Sequence, residues 1–254
     1  MQVTEQISNC IYPKNDVISF GNNKLTIQLP EGYTSGKKYA FMLFFHGSGG
    51  NAADNNFLSN EFKLFRQLCS KHQIIVAVPE YGSRCWFSRE AESIVLDIIS
   101  NLKKIINVDD KKFYVMGCSM GGAAALTFTG KHPELVTAVC DIFGVTDLTR
   151  YYNEGYYQEA LCKSYGGTLQ EIPEYYKERS GLTYAETLSR KPLMIVHGTK
   201  DSAVPKWNSD IMAEALNDFN AEFTYIEVKD ATHSNDIIEG IENNIISFFE
   251  SGNQ

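Results

Sequence analysis

The sequence predicts an α/β fold: a mostly parallel sheet flanked by helices on both faces. Two observations carry this. Short, unbroken apolar runs rich in strand formers, such as Ala40–Phe45, Ile74–Val78 and Leu193–Val196, recur along the chain, as strands buried on both faces require. Between them lie longer stretches with apolar residues at helical spacing. A third observation adds the function: glycine-, histidine- or aspartate-bearing segments follow four of the runs directly, and ligands of parallel sheets bind at the strands' carboxyl ends.

In order, Val17–Phe20 and Leu25–Leu29 flank Gly21-Asn22-Asn23 as a hairpin, so residues 1–30 read as strand-rich. Ala40–Phe45 runs straight into His46-Gly-Ser-Gly-Gly50. A helix is expected within Asn55–His72, then the strand Ile74–Val78 stopped by Pro79. Glu80–Phe87 is a loop carrying Arg84, Cys85 and Trp86. Glu90–Ile106 has Ile94, Val95, Ile98, Ile99, Leu102 and Ile105 at helical spacing. Phe113–Met116 is a strand and Gly121–His132 a helix; Ala138–Phe143 is the next strand. Residues 147–190 hold eight of the chain's 14 tyrosines. That is too long for a simple connection and reads as a small helical cap or lid inserted between sheet strands, or else as surface helices packed on the core edge. Leu193–Val196, a helix Asn208–Leu216, a strand Ala221–Val228 and a helix Asp236–Phe249 complete one domain spanning 1–254.

Composition sets limits. The chain has 254 residues, 43% of them hydrophobic, and a net charge of −8. This suits a folded chain with a large core. No basic cluster stands out, so no nucleic-acid partner is expected, and no apolar run is long enough for a membrane span. Cysteines at 10, 69, 85, 118, 140 and 162 form no metal-type spacing, which points to reduced thiols in the cytoplasm. Met1–Gln6 lacks the basic start and apolar core of a signal peptide; a secreted protein whose leader has been removed would look the same. A homodimer is compatible with the sequence.

The central motif is Gly117-Cys118-Ser119-Met120-Gly121, which fits G-x-S-x-G between a strand and a helix. A sharp strand-to-helix turn strains its central residue, and side chains two positions away would collide with neighbouring elements, hence both glycines. A serine there meets a helix N-terminus that favours negative charge. Its hydroxyl needs a base and the base an orienting acid. Of five histidines, His72 and His132 look like surface residues, and His46 and His197 sit in strand-ending His-Gly pairs that more often brace a turn. His233, in the loop after the last strand, is the expected base. Asp201, after the penultimate strand, is the expected acid, with Asp230 the runner-up. The order Ser119, Asp201, His233 is that of α/β-hydrolases. Expected oxyanion donors are the N–H groups of Met120 and Ser48, with Gly47 the runner-up for the second. Trp86 and the tyrosines of 147–190 are expected either to stack on an aromatic acyl group or sugar or to pack the core.

The segments Gly117-Cys-Ser-Met-Gly-Gly122, His46-Gly-Ser-Gly-Gly50 and His197-Gly-Thr-Lys-Asp-Ser-Ala-Val-Pro205 together resemble the α/β-hydrolase superfamily. More narrowly, the chain is similar to stand-alone serine esterases related to the catalytic domain of prolyl oligopeptidases. Ser164–Tyr184 resembles that family's linker before the acid-bearing strand, and the likeness covers roughly residues 38–250. It implies an eight-stranded sheet, acyl transfer without cofactor or metal, a triad on Ser119, Asp201 and His233, and an oxyanion loop at Ser48. The chain has no room for the oligopeptidases' propeller, and no tyrosine matches their oxyanion donor. The expected activity is therefore hydrolysis of carboxylic esters, with acetyl or feruloyl carbohydrate esters as candidates. The alternatives are a peptidase of prolyl oligopeptidase type and a non-catalytic binding protein on the same scaffold.

Overall fold

A computed structural model describes residues 7–252; Met1–Gln6, where no leader is expected, lie outside the described residues. The core is an eight-stranded sheet ordered β1-β2-β4-β3-β5-β6-β7-β8. The strands are β1 (Asp16–Phe20), β2 (Asn23–Gln28), β3 (Tyr39–Phe45), β4 (Ile74–Pro79), β5 (Val108–Cys118), β6 (Ala138–Ile142), β7 (Leu193–Gly198) and β8 (Phe223–Val228). β1 and β2 form the expected hairpin, and β2 runs antiparallel to β4. The remaining neighbours are parallel. This is the α/β-hydrolase fold.

Both sheet faces are dry, which is why the strands read as unbroken apolar runs. On β3, Phe41, Leu43 and Phe45 pack into one core, while Met42 and Phe44 pack into the other. The first core is covered by α2 (Arg89–Leu102), α3 (Met120–Lys131) and the later α8 (Trp207–Asp218), through Val95, Ile98, Phe128 and Met212. The second is covered by α1 (Lys63–Lys71) and α9 (Glu242–Ser251), through Phe65, Leu68, Ile245 and Phe249. α2 begins where the Ser88 hydroxyl accepts the N–H of Ala91 at 3.3 Å, the usual answer to a helix's unpaired first donors.

Between β6 and β7 lie α4 (Leu148–Asn153), α5 (Gln158–Tyr165), α6 (Pro173–Arg179), a 3-10 turn at Gly181–Tyr184 and α7 (Ala185–Leu188). Tyr151, Tyr152, Tyr165 and Tyr176 are buried, whereas Tyr157 is exposed. The turn lies tightly on α3: a Cβ on Gly181 would strike Leu126, and one on Gly130 would strike Tyr184. α6 is held by charge. Arg179, fully buried, donates to the Glu92 carboxylate at 2.7 Å, and Lys131 and His132 reach the same carboxylate. Burial raises the Glu92 pKa, but its three partners outweigh that and hold it below the usual range.

Three boundaries differ clearly from expectation. The helix expected to reach Ile106 ends at Leu102. β5 begins at Val108, five residues early, because Asp109–Lys112 leave the ladder as a register break opposite Tyr39–Phe41. The final helix is preceded by a separate 3-10 turn, Asn235–Ile238, with Gly240 between them at φ 86°.

Candidate active site

Parallel strands deliver their carboxyl ends to one edge, and the neighbouring β3, β5, β6, β7 and β8 bring five loops together there. Ser119 follows β5 directly. Its backbone sits at φ 58°, ψ −121°, a conformation that costs an ordinary residue on the order of 1–3 kcal/mol. The turn is held by the Ser119 N–H donating to the Ile142 carbonyl at 2.9 Å. A Cβ on Gly117 would overlap the Gly121 carbonyl, and one on Gly121 would overlap the Phe45 carbonyl. The two glycines are therefore demanded by backbone-to-backbone contact, the reason inferred from their spacing.

His233, in the loop after β8, places Nε2 2.9 Å from Ser119 Oγ. Its Nδ1 lies 2.6 Å from Asp201 Oδ2. A carboxylate can only accept there, so Nδ1 carries the proton and Nε2 is left to accept from the serine hydroxyl. The Asp201 side chain is fully buried. Its other oxygen accepts the N–H groups of Ala203 and Val204 at 3.0 and 2.9 Å, which offsets the cost of burying the charge. The Phe143 ring stands 4.5 Å from the His233 ring and backs it. Asp230, the runner-up acid, instead pairs with Lys200 at 2.8 Å.

His197 braces the acid loop. Its Nε2 donates to the Val204 carbonyl at 2.8 Å, and its Nδ1 accepts from the Ser209 hydroxyl at 2.7 Å. Burial pushes this imidazole below its ordinary pKa, so it stays neutral and keeps that tautomer. His46 is likewise buried and lowered by burial, with its ring against Tyr81.

Of the two candidate second oxyanion donors, Gly47 has its N–H engaged: it donates to Asn56 Oδ1 at 2.6 Å. Among the described residues, the N–H groups of Ser48 and Met120 donate to no protein acceptor. Asn56 also donates through Nδ2 to Asn235 Oδ1 at 2.7 Å, tying the glycine loop to the segment after His233. Ser119, His233, Gly47, Ser48, Asn56 and Tyr157 line a cavity of about 370 Å³.

Trp86, expected either to stack on substrate or to pack the core, is 3% exposed and does not border this cavity. Its ring packs on Tyr151 and Tyr157, at 6.0 and 5.3 Å, and its backbone N–H meets the Met120 sulfur at 3.4 Å. Tyr157 is the ring from the tyrosine-rich segment that borders the cavity. Asn56, Phe143 and Asn235 were not legible as site residues. The only local signal was an Asn-Asn pair shortly after the glycine loop. Among the described residues no disulfide joins any of the six cysteines. Among the described residues no cluster of His, Cys, Asp or Glu is built to hold a metal ion, and no helix is long and apolar enough to cross a membrane.

The family model described as the prolyl oligopeptidase family matches residues 93–250. A dipeptidyl peptidase family member of Caenorhabditis elegans is 28% identical over 182 residues, covering 66% of this chain and 21% of that protein. An esterase of Mycobacterium tuberculosis is 29% identical over 201 residues, covering 70% of this chain and 43% of its own length. The chain thus spans less than half of either relative. Among solved structures, a fluorophosphonate-binding serine hydrolase of Staphylococcus aureus superposes with a TM-score of 0.75 at 14% identity, covering 92% of this chain and 97% of that one.

Proposed function

This chain belongs to the prolyl oligopeptidase family of hydrolases, and from that premise we infer that it hydrolyses carboxylic esters through Ser119, His233 and Asp201. The observation that carries the reading is the unbroken hydrogen-bonded line from serine hydroxyl to imidazole to buried carboxylate, opening into a cavity. Ser119 Oγ attacks the ester carbonyl carbon as its proton passes to His233 Nε2, and Asp201 holds the ring and balances the imidazolium. The oxyanion is met by the N–H groups of Met120 and Ser48, each worth on the order of 3 kcal/mol in barrier. His233 then returns its proton to the departing alcohol as the C–O bond breaks. Water repeats the sequence on the acyl-enzyme.

A peptidase reading competes, favoured by the family itself and by the dipeptidyl peptidase among its relatives. The ester reading is preferred because the relative that this chain covers more fully is an esterase. The test is a panel of p-nitrophenyl acetate and butyrate, acetylated and feruloylated sugars, and alanyl- and prolyl-p-nitroanilides. Esters should turn over with kcat falling by on the order of 10⁴ or more in Ser119→Ala. Anilide cleavage as fast as ester cleavage would replace this reading with the peptidase one. Absence of both, with no fluorophosphonate labelling of Ser119, would leave a binding protein.

A further inference from the structure

In the glycine loop after β3, three backbone N–H groups are already committed. Gly47 donates to Asn56 Oδ1 at 2.6 Å, Gly49 to the Ser83 carbonyl at 2.5 Å, and Gly50 to the Gly47 carbonyl at 3.1 Å. Among the described residues the Ser48 N–H between them meets no protein acceptor, and Ser48 lines the cavity over Ser119. A free N–H serves an oxyanion only if its direction is fixed before the reaction. Three glycines make this stretch of backbone permissive, and Gly49 sits at φ 92°. Something outside the turn has to fix the peptide group that joins Gly47 to Ser48.

That group is planar and trans, so its C=O and N–H point in opposite directions. Whatever holds the Gly47 carbonyl therefore aims the Ser48 N–H. The Gly50 N–H reaches that carbonyl, but it closes the turn from within and moves with it. The His46 ring reaches it from the sheet: Nδ1 lies 2.8 Å from the Gly47 carbonyl oxygen. A carbonyl only accepts, so Nδ1 carries the proton. His46 is itself held fast. It follows β3 directly, is fully buried, packs its ring on Tyr81 at 4.4 Å, and has its own carbonyl held by the Tyr81 hydroxyl at 2.7 Å. A Cβ on Gly50 would strike the imidazole, so the turn lies directly on the ring.

The ring's other nitrogen shows that packing alone does not explain a histidine here. Nε2 is a bare acceptor, buried with no donor among the described residues, and such a group lowers stability. Leucine would fill the place without that penalty. What it would lack is the Nδ1–H donor. We propose that His46 is a positioning residue for the oxyanion hole: by pinning the Gly47 carbonyl through Nδ1–H, it turns the Ser48 N–H toward the oxyanion formed at Ser119. The proposal rests on Ser119 being the nucleophile and Ser48 an oxyanion donor.

The test compares two substitutions of nearly one shape. His46→Asn keeps an N–H on the atom that replaces Nδ1, and His46→Leu puts a methyl group there. Both leave a similar void, and leucine suits the dry site better, so the leucine variant should melt no lower than the asparagine variant. Activity should run the other way. For p-nitrophenyl butyrate, kcat should fall about 10- to 100-fold in His46→Leu with KM changed less than about threefold, and should stay within about threefold of the wild type in His46→Asn. A pentyl trifluoromethyl ketone reports on the oxyanion alone. The Ser119 oxygen adds to its carbonyl carbon, the serine proton passes to His233, and the ketone oxygen takes the negative charge. Its inhibition constant should rise in His46→Leu by the factor that kcat/KM falls. Should the leucine variant not fold, His46→Gln, whose amide sits one carbon further out, should show the same loss. An asparagine variant as slow as the donor-free ones, or activities that track the melting temperatures, would overturn the proposal. Ester turnover untouched by His46→Leu would sink it alone. A wild type without ester turnover would sink the nucleophile reading and this proposal with it.

Discussion

Asp141→Asn should stabilise the protein relative to the wild type by an amount that grows as the pH rises from mild acid to neutrality. Asp141 lies mid-sheet in β6, paired with Gly117 of β5 and Ile195 of β7, and is fully buried. Its Oδ1 accepts the Gly144 N–H at 2.9 Å, while Oδ2 has no partner among the described residues. A Cβ on Gly122 or on Gly144 would overlap Oδ1, so the carboxyl is wedged between the first turn of α3 and the loop after β6. No cation faces it. Burial therefore dominates, the single N–H bond opposes it weakly, and the pKa is pushed from 3.8 up to about 7.

The unfolded chain releases this proton near its ordinary pKa, whereas the folded chain holds it until about 7. Within that window the native state carries one proton more, so stability falls as pH rises and levels off above the window. At about 1.4 kcal/mol per pH unit, the interval from pH 5 to neutrality removes roughly 3 kcal/mol. The amide of asparagine keeps the Gly144 bond and cannot ionise. The variant's advantage over the wild type should therefore widen by roughly 3 kcal/mol between pH 5 and pH 8, read by urea denaturation at both values. Parallel stability–pH curves for the two proteins would refute the reasoning, because they would mean that Asp141 is already charged in the fold.

Three further substitutions probe the site's supports. Asn56→Ala strands the Gly47 N–H and cuts the link to Asn235; kcat/KM for p-nitrophenyl butyrate should fall about tenfold, roughly 1.4 kcal/mol, with an unchanged circular dichroism spectrum. His197→Leu leaves the Val204 carbonyl and the Ser209 hydroxyl unpaired, a loss of about 1–3 kcal/mol. It should lower kcat through the Asp201 loop while fluorophosphonate labelling slows in proportion. Glu92→Gln removes one of the two carboxylates that pair with the buried Arg179 and leaves Glu178; it should cost about 1–3 kcal/mol, seen as a lowered melting temperature.

The architecture was readable where burial made it so. β3, β4 and β7 are buried at nearly every position, and no other environment tolerates such uninterrupted apolar runs. What escaped depended on contacts distant in sequence. Asp109–Lys112 lay outside the expected strand Phe113–Met116, yet the break in pairing opposite Tyr39–Phe41 lets the strand continue past them. Gly240 ended a helix that the apolar spacing alone would have extended back to Asp236.

The site divides along the same line. Ser119, Asp201 and His233 each follow a strand within a few residues, so a parallel sheet is enough to gather them. Gly117 and Gly121 were legible because the clash they avoid is between backbones that the turn itself brings together. Asn56 had no such local signature: its partners are nine and 179 residues away, and only the folded chain makes it the joint between the glycine loop and the histidine loop. Trp86 shows the converse. An aromatic ring in a loop beside the expected site suggested stacking on substrate, but the packing of Tyr151 and Tyr157 closes over it. The reacting groups could be read from where strands end; the residues that hold those groups in register could be read only from which loops touch.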